Sequence, residues 1–314
     1  MNDRTLTHNQ FSPEDFFSPW EGTIKGWDSA LDLINKLNQL VGNDRTLAWR
    51  GLSKADYSLH SSLYRAVKRR GNANPSEDDL VKNEQRILDA ARRHWRFDQM
   101  PALELLAHLQ HYGAPTRLLD VSMSPLVALW FAVEQKRTTD GTIRADLDGR
   151  LFAFDVTDSE IRLEEAWGGY DLPWSKGSQV ANKDWQNDLP RFWRPPSYHD
   201  RIPAQNSAFL ISGVPVVSNG ANTRLYRKTP GDGSGAESWI AEEVRKATSI
   251  NLKLTSTTRK PQLSIPPSFT IRVKASAKEE IRDRLKRIAG LDSAAVYPDI
   301  FGLANYGAPW VIVP

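Results

Sequence analysis

A dense set of polar side chains stands in the segment QHYGAPTRLLDVS, residues 110 to 122. The segment holds an amide, an imidazole, hydroxyls, a guanidinium and a carboxylate, and it lies between two strongly apolar stretches. Polar groups that packing hides are costly unless they form hydrogen bonds. We therefore expect this segment either to satisfy its polar groups internally or to bind a ligand.

The residue types suit a ligand that carries phosphates and a sugar. Arg50, at the end of a predicted strand and beside Gly51, offers a planar, bidentate donor with close backbone access. Thr116 and Ser122 are short hydroxyl side chains on a predicted turn that leads into an apolar helix, so they would be held rigidly. Such a set could bind a pyrophosphate and orient a ribose.

Structural interpretations of the same residues stay open. Arg117 and Asp120 are three positions apart, and we expect them to pair and clamp the turn. A structural salt bridge between Arg50 and Asp120 is as well supported as a ligand contact by Arg50, because buried pairs also specify folds.

His108 and His111 have the i, i+3 spacing of two metal ligands, but no third histidine is near in sequence, so we expect no metal site. His111 is expected either to bond to the backbone or to line the rim of a pocket.

Hydrophobic periodicity predicts the elements that position these residues. Helices are expected over 27–42, 79–97, 101–113 and 125–135, and the last is apolar on nearly every side, which indicates a buried helix. Strands are expected over 47–51, 150–156 and 207–212. The irregular order of helices and strands, without a glycine-rich loop after a strand, favours an α+β fold over a doubly wound one.

Domain organisation follows from the remaining segments. Residues 1–24 are predicted to be a flexible lead, and residues 25–314 a single domain. Within that domain, residues 157–200 are rich in Trp and Pro and show no steady period. We predict an ordered insertion there, because so many aromatic side chains are unlikely to remain in water.

Composition narrows the class of protein. The 314 residues include 41 basic and 38 acidic ones, a net charge of +3, which gives nucleic-acid binding no support. There are no cysteines, which suits a reducing compartment and excludes thiolate metal sites. Neither a signal peptide nor an apolar run long enough for a membrane span is visible. We expect a cytoplasmic protein without a membrane partner.

Three stretches together resemble the FRG domain family, named for a Phe-Arg-Gly motif. The motif stands here as Trp49-Arg50-Gly51, and the second stretch is LLAHLQHYGAPTRLLDVSMSPLVALWFAVE, residues 105–134. The third is RIPAQNSAFLIS, residues 201–212, and the segment from FTIRVKAS to GLANY is similar to the family's closing part. The resemblance covers roughly residues 25–306 and implies a bacterial or phage protein with a toxin or anti-phage role.

More remotely, the order of motifs is similar to that of ADP-ribosyltransferases. That similarity implies a bent or split antiparallel sheet with flanking helices, NAD as a substrate, and Arg50 and Gln205 as catalytic residues. Gln205 stands where the transferases have a glutamate, and Asp200 or Glu242-Glu243 could supply the carboxylate instead. The NAD-binding residues implied by the resemblance are Arg50, Gly51, His111, Thr116, Arg117, Asp120, Ser122 and Gln205.

Three functions remain in competition. The first is an NAD-dependent mono-ADP-ribosyltransferase or NAD-cleaving effector, whose acceptor macromolecule the sequence does not name. The second is a catalytically inactive module that senses a nucleotide-like small molecule. A nucleic-acid enzyme is the least supported, because clustered acidic metal ligands and a basic stripe are both missing from the sequence.

Overall fold

The computed structural model describes residues 11–71, 73–138, 142–175, 185, 189–217, 226–230 and 237–304. The strands are β1 (Gly22–Ile24), β2 (Leu47–Leu52), β3 (Leu119–Ser122), β4 (Gly149–Asp155), β5 (Arg191–Trp193), β6 (Ser207–Ile211) and β7 (Ser268–Val273). The helices are α1 (Pro13–Phe17), α2 (Trp27–Val41), α3 (Ser62–Gly71), α4 (Glu77–Trp95), α5 (Ala102–His111), α6 (Pro125–Val133), α7 (Arg201–Ala204), α8 (Ala241–Ala247), α9 (Lys278–Ala289), α10 (Ser293–Val296) and α11 (Ile300–Gly302).

The strands form one open, seven-stranded sheet in the order β1-β7-β4-β2-β3-β6-β5. Only β1 and β7 pair in parallel, and all other neighbours are antiparallel. The expectation of a mixed fold with a mainly antiparallel sheet and flanking helices is confirmed. The described strands belong to a single sheet, so the split form of the expectation is wrong. The predicted strands at 47–51, 150–156 and 207–212 are β2, β4 and β6.

The apolar helix α6 packs against β2, as its lack of a polar face predicts. Trp130 of α6 is 6% exposed and meets the ring of Tyr297 at 5.6 Å. The approach is so close that a Cβ atom on Gly51 would lie 1.9 Å from the carbonyl oxygen of Ala128. The glycine of the Trp-Arg-Gly motif is therefore required by helix packing, because any side chain there would displace α6.

The prediction of a flexible lead over residues 1–24 is wrong for residues 13–24. Phe16 and Phe17 of α1 are buried, and Phe17 packs edge-on against Phe152 of β4. β1 then joins the sheet beside β7. Burial of two aromatic rings stabilises a segment whose short elements give almost no periodic signal. Residues 1–10 lie outside the described residues.

The described parts of the segment 157–200 pack on the domain. Trp167, Trp174 and Trp193 are buried, and β5 extends the sheet by pairing with β6. This segment therefore completes the sheet edge next to the strands that carry the candidate residues. Along the described chain, every helix is too short or too polar to cross a membrane.

Candidate functional site

A cleft of about 310 Å³ opens where β2, β3 and β6 lie side by side. β2 and β3 pair with Trp49 opposite Ser122, and β3 pairs with β6 with Ser122 opposite Ser207. This register brings together motifs that are far apart in the sequence. The predicted site residues that line the cleft are Arg50, Gly51, His111, Asp120, Ser122 and Gln205.

Arg50 and Arg201 are the two arginines of the described cleft lining. Arg201 pairs with Asp299, whereas the Arg50 side chain, 17% exposed, faces Asp120. Arg50 Nη1 donates a hydrogen bond to the backbone oxygen of Asp120 and lies 3.7 Å from Asp120 Oδ2. Its Nε is buried and has no hydrogen-bond partner among the described residues. Burial lowers the pKa of Arg50, Asp120 acts in the opposite direction, and Arg65 lowers it further. The guanidinium thus pairs loosely with Asp120 and keeps an unused donor.

Asp120 is held by a short chain of side-chain hydrogen bonds. Gln110 donates through Nε2 to Asp120 Oδ1 at 2.6 Å, and Thr116 Oγ1 donates to Gln110 Oε1. Thr116 is fully buried and does not line the cleft. The expectation that Thr116 presents its hydroxyl to a ligand is therefore wrong. Its hydroxyl instead orients Gln110, which orients the carboxylate.

The expected clamp between Arg117 and Asp120 is also wrong. β3 begins at Leu119, and successive side chains along a strand point to opposite faces, which sets Asp120 apart from the buried core. Arg117 is 2% exposed and forms two bonds of 2.6 Å with Glu84 and one of 2.7 Å with Glu77. Arg117 does not line the cleft, so its assignment as a ligand contact is corrected to a structural one.

Ser122 and Gln205 line the cleft but use their side chains on the protein. Ser122 Oγ donates to the backbone oxygen of Gln205 at 2.6 Å and accepts from Ser124 N at 3.0 Å. Gln205 Nε2 donates to the backbone oxygen of Val296 at 2.9 Å. Asp200, Glu242 and Glu243 are absent from the described lining, in which Asp120 is the only carboxylate. Asp120 of β3 is therefore the carboxylate that the described lining offers to a ligand.

A wall of aromatic and histidine rings completes the cleft, and most of it was not predicted from the sequence. His199 stacks on His111 with ring centroids 3.7 Å apart and an interplanar angle of 9°. Tyr198 and Tyr297 line the same wall. Burial lowers the pKa values of His111 and His199, and neighbouring cations lower them further. Both imidazoles are therefore harder to protonate than a free histidine.

His199 also supplies the third histidine that was missing from the sequence neighbourhood. The ring of His108 lies 5.0 Å from that of His199, in an edge-on arrangement. Parallel rings in van der Waals contact do not aim their nitrogens at one point, as a metal ion requires. Over the described part of the chain, no group of three potential ligands could hold a metal ion. In the sequence, the sign of this ring cluster was the pair of polar rings, Tyr198 and His199, in YHDR, residues 198–201.

We predict that Thr116→Val destabilises the protein by about 1–3 kcal/mol, because it leaves buried hydrogen-bonding groups without partners. Thr116 Oγ1 accepts from Leu118 N at 3.2 Å in addition to its bond with Gln110. Denaturant unfolding measures the loss, and Thr116→Ser, which keeps the hydroxyl, should retain most of the stability. A Thr116→Val variant as stable as the wild type would contradict this structural role.

Comparison with known families agrees with the resemblance found in the sequence. The model of the FRG domain matches residues 45–141, which run from just before β2 to beyond α6. The match includes Arg50, Gln110, His111, Asp120 and Ser122, whereas His199 and Gln205 lie outside it. No curated protein matches the chain. No solved structure matches it either.

Proposed function

We propose that this FRG-domain protein binds NAD in the cleft between β2, β3 and β6 and cleaves it as an ADP-ribosyltransferase-like effector with a toxin or anti-phage role. The observation that carries the proposal is the unused Nε donor of the buried Arg50. A buried guanidinium donor without a partner is costly, and a bound phosphate oxygen removes that cost with a charge-assisted bond. Arg50 is accordingly assigned to the pyrophosphate.

The composition of the cleft wall supports a nucleotide rather than a simple anion. Phe131, Tyr198, His199 and Tyr297 present rings around the cavity. Planar rings favour stacked or edge-on contacts with other rings, such as those of nicotinamide and adenine. Apolar walls with a few fixed polar groups are typical of small-molecule sites.

Asp120 is the group we assign to the cleavage step. When the bond between the nicotinamide nitrogen and ribose C1′ breaks, nicotinamide leaves with the electron pair and positive charge develops on the sugar. A fixed carboxylate stabilises such a developing charge. The Asp120 side chain is 63% exposed and oriented by Gln110, so it can meet a ligand without moving. Gln205, an uncharged amide bonded to the backbone, is assigned a structural role at the cleft edge.

Nucleotide sensing without cleavage is the second candidate function, and one observation favours it. The side chains of Ser122 and Gln205, which correspond to motif positions of the transferases, are both engaged with backbone groups. A site in which these groups are already satisfied can bind a nucleotide through Arg50 and the aromatic wall alone. Binding without release of nicotinamide distinguishes this candidate.

We predict that NAD raises the melting temperature of the wild type and that the purified protein releases nicotinamide. Asp120→Asn should keep the rise, because the amide still accepts from Gln110, but should slow the release on the order of a hundredfold, because the charge is lost. Thermal shift and chromatographic detection of nicotinamide measure the two properties. A rise without release in the wild type selects the sensor. If no adenine nucleotide shifts the melt at millimolar concentration, NAD is the wrong ligand.

A further inference from the structure

A second groove adjoins the cleft and shares Arg50, Gln110 and Asp120 with it. Its volume is about 210 Å³, and its remaining walls come from the start of α3 and from the turn after α5. Arg65 of α3 lines it with an exposed side chain, whose Nη1 donates to the backbone oxygen of His60 at 2.5 Å. The two cavities thus meet at Arg50, and the groove adds a second arginine, Arg65, close enough to lower the pKa of Arg50.

The exposed part of α3 concentrates positive charge next to this groove. The helix SLYRAVKRRG contains Arg65, Lys68, Arg69 and Arg70 and no acidic residue. Arg65, Lys68 and Arg69 follow the i, i+3, i+4 spacing, so they share one face. Within the described residues none of these four side chains forms an ion pair.

These cations lie close enough to one another to repel. Burial lowers the pKa of Arg65, Asp120 opposes this, and Arg69 lowers it further. Burial also lowers the pKa of Lys68, and Lys246 of α8 lowers it further. Cations that crowd without forming ion pairs among the described residues make a favourable site for an extended anion. The small net charge of the whole chain hides this local excess.

An exposed aromatic ring stands where the groove meets the cleft. Tyr112 is 64% exposed, and it lies between His111, which lines the cleft, and Gly113, which lines the groove. Its ring contacts His111 at 4.9 Å, His199 at 5.5 Å and Phe301 at 6.0 Å, all edge-on, so that neighbouring rings hold it in place. An exposed tyrosine beside a groove lined by two arginines suits a single strand, because phosphates meet the cations and bases stack on the ring.

We infer that α3, the groove and Tyr112 bind a single-stranded nucleic acid. The strand's phosphates contact Arg65, Lys68 and Arg69, and one base stacks on Tyr112 beside the mouth of the NAD cleft. This surface stands on its own residues and does not require that the cleft cleave NAD. The partner inferred for the protein is thus a single-stranded nucleic acid.

Fluorescence anisotropy with labelled single-stranded RNA and DNA of about 12 nucleotides tests the inference, and the wild type should bind at least one of the two strands. Binding should weaken with salt, with a slope of log K on log salt concentration of about −2 if three phosphates are neutralised. Lys68→Glu combined with Arg69→Glu should weaken binding at least about tenfold. The matched control is Arg284→Glu combined with Lys286→Glu on the exposed face of α9, where Glu279, Glu280 and Asp283 balance the charge.

Substitutions at Tyr112 test base stacking separately from the attraction between charges. Tyr112→Ala should weaken single-strand binding about tenfold and leave duplex binding unchanged, whereas Tyr112→Phe should bind like the wild type. The inference is overturned if the wild type binds neither strand, if it binds only vesicles of anionic phospholipid, or if the α9 control loses as much affinity as the α3 variant. Neither Lys68 nor Arg69 lines the cleft, so the α3 variant should keep its thermal response to NAD. If the protein binds a single-stranded nucleic acid but NAD does not raise its melting temperature, the proposed function is wrong and the inferred nucleic-acid surface remains supported.

Discussion

Replacing Arg50 with alanine should abolish the response to NAD while leaving the fold nearly intact. The variant removes the unused Nε donor and the guanidinium charge from the cleft wall. Because Arg50 is assigned to the pyrophosphate, its loss removes a charge-assisted contact with the ligand, so both binding and nicotinamide release should be lost. The ion pair with Asp120 is long at 3.7 Å, and that carboxylate is 63% exposed, so the loss of stability should be about 1 kcal/mol or less. Nicotinamide release and thermal melts measure the two effects.

Trp130→Ala is the reference for a variant that does unfold the protein. Trp130 is buried in α6 between Phe131 and Tyr297, and truncating such a side chain costs about 3–5 kcal/mol. Arg284→Ala, on the exposed face of α9, serves as a control for the loss of an arginine. If Arg50→Ala melts as early as Trp130→Ala, the pair with Asp120 is structural and the ligand assignment fails.

Replacing Arg117 with leucine should destabilise the protein by about 3–5 kcal/mol, because it leaves Glu84 as an uncompensated buried charge. Burial alone would lower the pKa of Arg117, but Glu84 and Glu77 raise it above its ordinary value. The guanidinium also lies 4.6 Å from the ring of Trp174, which in turn donates to Glu84 Oε2 at 2.9 Å. One side chain thus joins α4, the segment before β3 and the insertion. Denaturant unfolding should show a lower midpoint with little change in slope.

The double variant Arg117→Leu/Glu84→Leu separates charge from packing. Replacing both members of a buried pair with apolar residues is far less costly than removing one. We therefore expect the double variant to be more stable than either single variant. A double variant whose loss equals the sum of the two single losses would show that the pair does not act as a unit.

Local sequence determined four of the helices, three of the strands and part of the site. The periodic stretches became α2, α4, α5 and α6, since apolar residues spaced for one helix face, or for all faces in α6, admit few other structures. The Trp-Arg-Gly motif and the segment 105–134 were sufficient to recognise the FRG family and to place Arg50, His111, Asp120 and Ser122. In each of these cases, the interactions that determine the local structure lie within one helix or strand, or between residues of one motif.

Tertiary structure alone decided which polar groups became partners. Arg117 is three positions from Asp120 but pairs with Glu84, because strand alternation and burial carry the two side chains to different environments. Only the folded chain brings His199 against His111. Likewise, only the fold places Arg65 of α3 in the same groove as Arg50. Coulombic and hydrogen-bond energies depend on distance and burial, and neither can be read from spacing along the chain. The sequence therefore identified the groups that could do chemistry, and the fold selected the partners of each.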